Sequence, residues 1–228
     1  MEYSKKLHGI FLLIAILFVI GSIFSYDGLT LVSNYLLIPT LIFYYRLKSG
    51  NWFPFMVAAL VFFYVRDIFL IYGFDHFPWL IIGSFFLGLL IIYVFALTGF
   101  KTSKMHVVEG ISLLILYTFL AFLFITVSGL VPQALPDYET ITYLYQFLLI
   151  LLLGVTFTGY LLKSHYASLW LMLASASLLV SEISLFFKMH VVSDISVNIF
   201  YPLFHVMAYY ALIQHALHRR RSLQTPYF

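Results

Sequence analysis

Four ionisable side chains of this chain lie inside stretches that otherwise read as greasy. Arg66 and Asp67 interrupt "VFFYVRDIFLI" (61–71), where the other nine of eleven residues are apolar or aromatic. Glu182 sits in "LLVSEISLFF" (178–187) and His205 in "YPLFHVMAYY" (201–210). Two carboxyl groups, a guanidinium and an imidazole are the residue types of acid–base chemistry and of proton relays. They are costly to bury: a charge near a bilayer centre costs at least ~2.5–3.5 kcal/mol on insertion scales. Such groups normally face a bundle interior and find partners there.

The rest of the chain shows that the surroundings are a membrane. Of 228 residues, 63% are hydrophobic and 9% charged, and the mean hydropathy is +1.02. A soluble domain carries roughly 25% charged residues. Twenty-five Phe and eighteen Tyr suit lipid-facing surfaces and interface belts. The absence of Cys excludes disulfides, thiolate metal ligands and a cysteine nucleophile. The basic residues are dispersed in short loops, which argues against nucleic acid as a partner.

A spanning helix needs roughly 20 mostly apolar residues. Eight such segments are expected, at about 8–25, 28–45, 52–72, 78–99, 107–130, 138–162, 167–188 and 195–217. Short polar loops separate them, so the expectation is an all-α, polytopic membrane bundle forming a single domain over 1–228. The first segment follows Lys5 and Lys6 but has no A-x-A site after it, so it reads as a retained helix rather than a signal peptide. Eight crossings put both termini on one side. With that side cytoplasmic, Lys5, Lys6, Arg46, Lys48, Lys101, Lys104, Lys163, Arg219, Arg220 and Arg221 fall inside, and only Lys188 falls outside. The acidic residues Asp27, Asp75, Asp137, Glu139 and Asp194 fall outside. This strong positive-inside bias predicts cytoplasmic termini and a multi-pass protein of the cell (inner) membrane.

In that frame the four groups share one half of the bilayer. At 1.5 Å per residue, Asp67 and Glu182 lie roughly 8 and 9 Å below the outer helix ends, and His205 roughly 15 Å below. A common polar pocket is therefore expected. Adjacent helix positions point about 100° apart, so Arg66 is expected to reach Glu182 on another helix rather than Asp67. Such a bridge could simply hold two helices together, or it could be part of a site. Ala174, Ser177 and Ser181 form a small-residue stripe suited to helix packing. Tyr201, His205 and Tyr209 share one row of the last segment, while Tyr210 and Gln214 point elsewhere. Glu109 suits the N-terminus of the fifth segment. Pro39 and Pro202 are candidate kink sites. Hydrolase elbows, zinc-binding H-E-x-x-H and Gly-rich phosphate loops are absent from the sequence, and no cofactor or metal is expected.

Several short motifs resemble the YhhN family of lysoplasmalogenase-like membrane proteins. The third segment, "AALVFFYVRDIFL", is similar to A-L-x-F-S-x-x-G-D-x-x-L, with Asp67 matched and Arg66 in place of glycine. The seventh, "LLVSEISLFF", is similar to L-F-x-x-S-D, with Ser181 matched and Glu182 in place of aspartate. In the last, "YYALIQ" offers Tyr210 and Gln214 against T-Y-Y-x-A-Q. Pro39 and Gly88 also correspond, although the family's neighbouring lysine and histidine are missing here.

The resemblance implies an eight-helix bundle that hydrolyses the vinyl ether of a lysophospholipid to a fatty aldehyde and a glycerophospho-base. Asp67 and Glu182 would then be the catalytic pair, and both are expected to line one cavity. Glu182 would act as acid and Asp67 as base or cation stabiliser, or the reverse. Arg66, His205, Tyr210, Gln214 and Ser181 would contact substrate, and membrane lipids would be the other partners. The two carboxyl groups fit this chemistry in the way paired carboxyls share acid and base work in glycoside hydrolysis. A small transporter or a sensor with a buried Arg–carboxylate switch is the competing class.

Overall fold

The computed structural model describes residues 2–98, 106–163, 165–191 and 195–224. Eight long helices account for most of them. They are α1 (Glu2–Ile23), α2 (Asp27–Ser49), α3 (Pro54–Ile71), α4 (Pro78–Leu97), α5 (Val107–Ser128), α7 (Glu139–Lys163), α8 (Tyr166–His190) and α9 (Ile195–Gln224). A four-residue helix, α6 (Val131–Ala134), and two 3₁₀ turns, Phe74–His76 and Pro136–Tyr138, lie in the connections. No strand occurs among the described residues. The protein is a polytopic helical membrane bundle.

The helix boundaries follow local chemistry. Pro54 and Pro78 open α3 and α4, where a missing N–H costs nothing. At the start of α5 the Glu109 carboxylate accepts the His106 backbone N–H at 2.8 Å, closing a capping box. Gly50 ends α2 in the left-handed region (φ 71°) and returns its N–H to the Arg46 carbonyl. Pro39 and Pro202 lie within uninterrupted helix.

Among the described residues, seven helices, α1 to α5, α7 and α8, are long and apolar enough to cross a membrane. The eighth expected crossing is α9, 30 residues long. Its polar residues are met by protein rather than lipid: α9 packs along α8 and also touches α1, α2 and α3. Tyr201, His205, Tyr209, Gln214 and His215 are all buried there. The α8 stripe of Ala174, Ser177 and Ser181 is buried too, as expected of a packing face. By contrast, α5 packs mainly against α7 and leaves most of its side chains facing outward.

The two ends of the bundle are distinct. At the basic end, the Arg219 guanidinium stands over the rings of Phe53 and Phe95. It also donates to the Thr98 hydroxyl at 3.3 Å. His8 of α1 lies against Tyr44 of α2 and Tyr210 of α9. The start of α1 and the end of α9 thus share one end, as eight crossings require. At the acidic end, Tyr138 meets Phe74 and Trp79 edge-on. Lys101, Lys104 and Asp194, part of the charge bias, lie outside the described residues.

Candidate functional site

The four membrane-depth charges form one connected cluster on α3, α8 and α9. Arg66, Asp67, Glu182 and His205 are 3%, 1%, 5% and 1% exposed, so each must be satisfied by protein. Arg66 reaches across to Glu182 through Nη2, as expected. Its Nη1 donates to Asp67 Oδ1 at 2.8 Å, so Arg66 and Asp67 do form a pair, contrary to expectation. The helix phase argument concerns Cβ directions. Arginine carries its five donors at the end of a long stem in a fixed fork, so one guanidinium can serve its own neighbour and a second helix together. The ring of Phe85 on α4 lies 5.4 Å from the guanidinium carbon and covers it.

Two tyrosines complete the network. Tyr209 donates to Asp67 Oδ2 at 2.7 Å, and His205 Nε2 lies 3.1 Å from the same oxygen. Tyr145 of α7 donates to Glu182. Tyr209 shares the His205 row on α9. Tyr145 escaped the sequence reading because one more tyrosine among eighteen has no distinguishing neighbour. The packing that sets these donors is tight. A Cβ on Gly88 would fall 2.8 Å from the Phe63 ring, and that ring packs on Phe85 and Tyr209. Gly88 therefore lets α4 close on α3 beside the cluster.

Asp67 faces three donor groups (Arg66, Tyr209 and His205), the arrangement that suits an ionised carboxylate. The Arg66 guanidinium is shared between Asp67 and Glu182, so one buried cation serves both acidic side chains.

A narrow cleft of about 100 Å³ runs from this cluster to the acidic end. Its floor is Arg66, Glu182 and Tyr145, its walls come from α4, α7 and α8, and His190 and Met189 stand at its rim. Glu182 and His190 are eight residues apart on α8, so the cleft is about 12 Å deep. The expectation that Asp67 and Glu182 line one cavity is corrected here. Glu182 and Arg66 border the cleft; Asp67 and His205 do not. The side chains of Tyr209 and His205 occupy the space on Asp67's other side.

The remaining candidates also separate from the cleft. Ser181 donates to the Tyr201 carbonyl at 3.3 Å, tying α8 to α9. Tyr210 stacks on Phe11 and meets His8 and Trp170, nearer the basic end. Gln214 lies beside Tyr210, one turn further on. None of the three lines the cleft. Buried residues that do line it, Thr142 and Gln146 of α7, were not anticipated. Among the described residues, no group of three or more His, Cys, Asp or Glu side chains is placed to hold a metal ion.

Fold and site together define a multi-pass helical membrane protein with a cluster of buried ionisable side chains at the floor of an apolar cleft. No family model, curated protein or solved structure matches the chain.

Proposed function

We propose that the protein is a membrane-embedded hydrolase of an amphiphilic lipid, in the sense implied by the YhhN-like motifs, with Glu182 as the proton-transferring group. One observation carries this reading: of the two carboxyls in the buried cluster, Glu182 alone borders an apolar cleft. The favoured substrate is a lysoplasmalogen. In its neutral form Glu182 protonates the vinyl ether at the carbon β to oxygen, leaving an oxocarbenium ion. Ionised Glu182 then takes a proton from the attacking water. The hemiacetal collapses to a fatty aldehyde and the glycerol hydroxyl, so one water is consumed and the acid is regenerated. Asp67 takes no direct part. It anchors Arg66 and His205, and so acts as a positioning residue rather than the second catalytic acid.

A second reading has its own support. Arg66 joins α3 to α8, and Asp67 joins α3 to α9. A static clamp, or a proton-linked switch in a transporter or sensor, would use the same contacts. Aldehyde release by wild type and Glu182→Gln, read beside melting temperature in detergent, separates the two. A hydrolase loses turnover with its fold intact. A clamp loses stability, and Arg66→Met together with Glu182→Gln restores it.

A further inference from the structure

At the basic end, away from the buried cluster, the turn between α2 and α3 joins a cation to an apolar groove. Arg46 lies in the last turn of α2, and its guanidinium carbon stands 5.4 Å from the centre of the Trp52 ring. Its Nη1 donates to the Gly50 carbonyl, which leaves the Nε–Nη2 edge of the fork for another acceptor. Among the described residues no carboxylate pairs with Arg46. Neighbouring cations are engaged elsewhere: Lys48 donates to the Tyr44 hydroxyl at 2.6 Å, and Arg219 stands over Phe53 and Phe95. Glu109, an acidic side chain at this end, is held by the His106 backbone N–H. Trp52 also borders the groove. Pro54, Val57, Ala58 and Val61 line it at i, i+3, i+4 and i+7 spacing, with Phe62 alongside. It holds about 400 Å³. From Pro54 to Phe62 it runs roughly 12 Å along α3, and Trp52 and Val61 are 51% and 44% exposed, so it opens outward to lipid.

We infer that Arg46 and this groove form a binding site for an anionic phospholipid of the leaflet at the basic end, with the phosphate on Arg46 and one acyl chain along α3. A phosphodiester offers two oxygens to the Nε–Nη2 edge, the bidentate geometry that a guanidinium favours. Trp52 touches both the cation and the groove, the place of a tryptophan at a membrane interface. The groove is lined by apolar side chains throughout, which suits a hydrocarbon chain. A peptide segment laid there would leave its backbone polar groups unmet. In a zwitterionic lipid the headgroup ammonium opposes the Arg46 charge, so lipids with a net negative headgroup are preferred. The site lies apart from Glu182 and its cleft, and the inference is independent of the hydrolase reading.

Native mass spectrometry of the delipidated full chain, titrated with dioleoyl phosphatidylglycerol or dioleoyl phosphatidylcholine, tests this. Wild type should take up one phosphatidylglycerol about tenfold more tightly than phosphatidylcholine, the scale of one hydrogen bond to a charged group. Arg46→Gln should abolish that preference. Arg46→Lys should keep only part of it, because the charge stays and the fork is lost. Lys5→Gln removes an equal charge from an exposed position on α1 and should leave the preference intact. Ala58→Leu fills the groove from a partly exposed position and should weaken uptake of both lipids. Glycerophosphoglycerol, the headgroup without chains, should not compete at matched concentration. Equal uptake of the two lipids by wild type, or a preference that survives Arg46→Gln, would overturn the inference. So would an equal loss in Lys5→Gln, unchanged uptake after Ala58→Leu, or competition by the bare headgroup.

Discussion

The acidic-end and basic-end halves of α9 carry similar side chains and put them to different uses. Toward the acidic end, His205 and Tyr209 meet Asp67, and through Arg66 they connect to Glu182 and an open cleft. Toward the basic end, Tyr210, Gln214 and His215 are taken up in packing. Tyr210 fills an aromatic layer with Phe11, His8 and Trp170. His215 Nδ1 donates to the Ala167 carbonyl at 2.8 Å, where it ties α9 to α8. A buried histidine or tyrosine therefore says little alone. What distinguishes the two halves is a set of charges that must balance, and space beside one of them.

The contrast predicts where substitutions hurt. The largest effect should come from Arg66→Met, which takes their shared guanidinium from Asp67 and Glu182. Breaking a buried pair costs ~3–5 kcal/mol, so the melting temperature in detergent should fall sharply. Adding Glu182→Gln should recover part of it. A mild effect of Arg66→Met alone would show that the cluster is not held by charge balance.

Gly88→Ala comes next. Its new Cβ would press on Phe63 at 2.8 Å and disturb Tyr209 and Phe85 behind it. Overpacking of this kind costs typically 1–3 kcal/mol, measurable by thermal unfolding. The smallest effects sharpen the comparison. Tyr209→Phe removes a donor to buried Asp67 and should cost about 1–3 kcal/mol. Tyr210→Phe removes a hydroxyl from a half-buried aromatic layer and should cost less than about 1 kcal/mol. Equal losses in the two variants would erase the distinction between the halves.

Much of this arrangement was legible in the residues. Charges interrupting apolar runs marked α3, α8 and α9 as the helices that must meet, and Arg66 was correctly matched with Glu182. The small stripe on α8 and the acid at Glu109 did what their types imply. Other features left no trace in the sequence. The Arg66–Asp67 contact depends on side-chain reach, which helical phase does not encode. Tyr145 is one aromatic among many, and cleft-lining Ile82, Phe85 and Leu185 are the same residues that face lipid elsewhere. Tyr210 and Gln214 were placed in the site by motif likeness. The phase of α9, already visible in their separation from the His205 row, turns them toward α1 and α8 instead.

Glu182 as the proton-transferring group at the cleft floor is the central claim, and aldehyde release tests it most directly. Purified wild type and Glu182→Gln would be given a lysoplasmalogen under identical conditions, with melting temperature recorded for both. The account predicts aldehyde from wild type, and at least a hundredfold less, on the order of one general acid–base group, from a Glu182→Gln protein that remains folded. Undiminished aldehyde release from folded Glu182→Gln, or none from wild type, would contradict it.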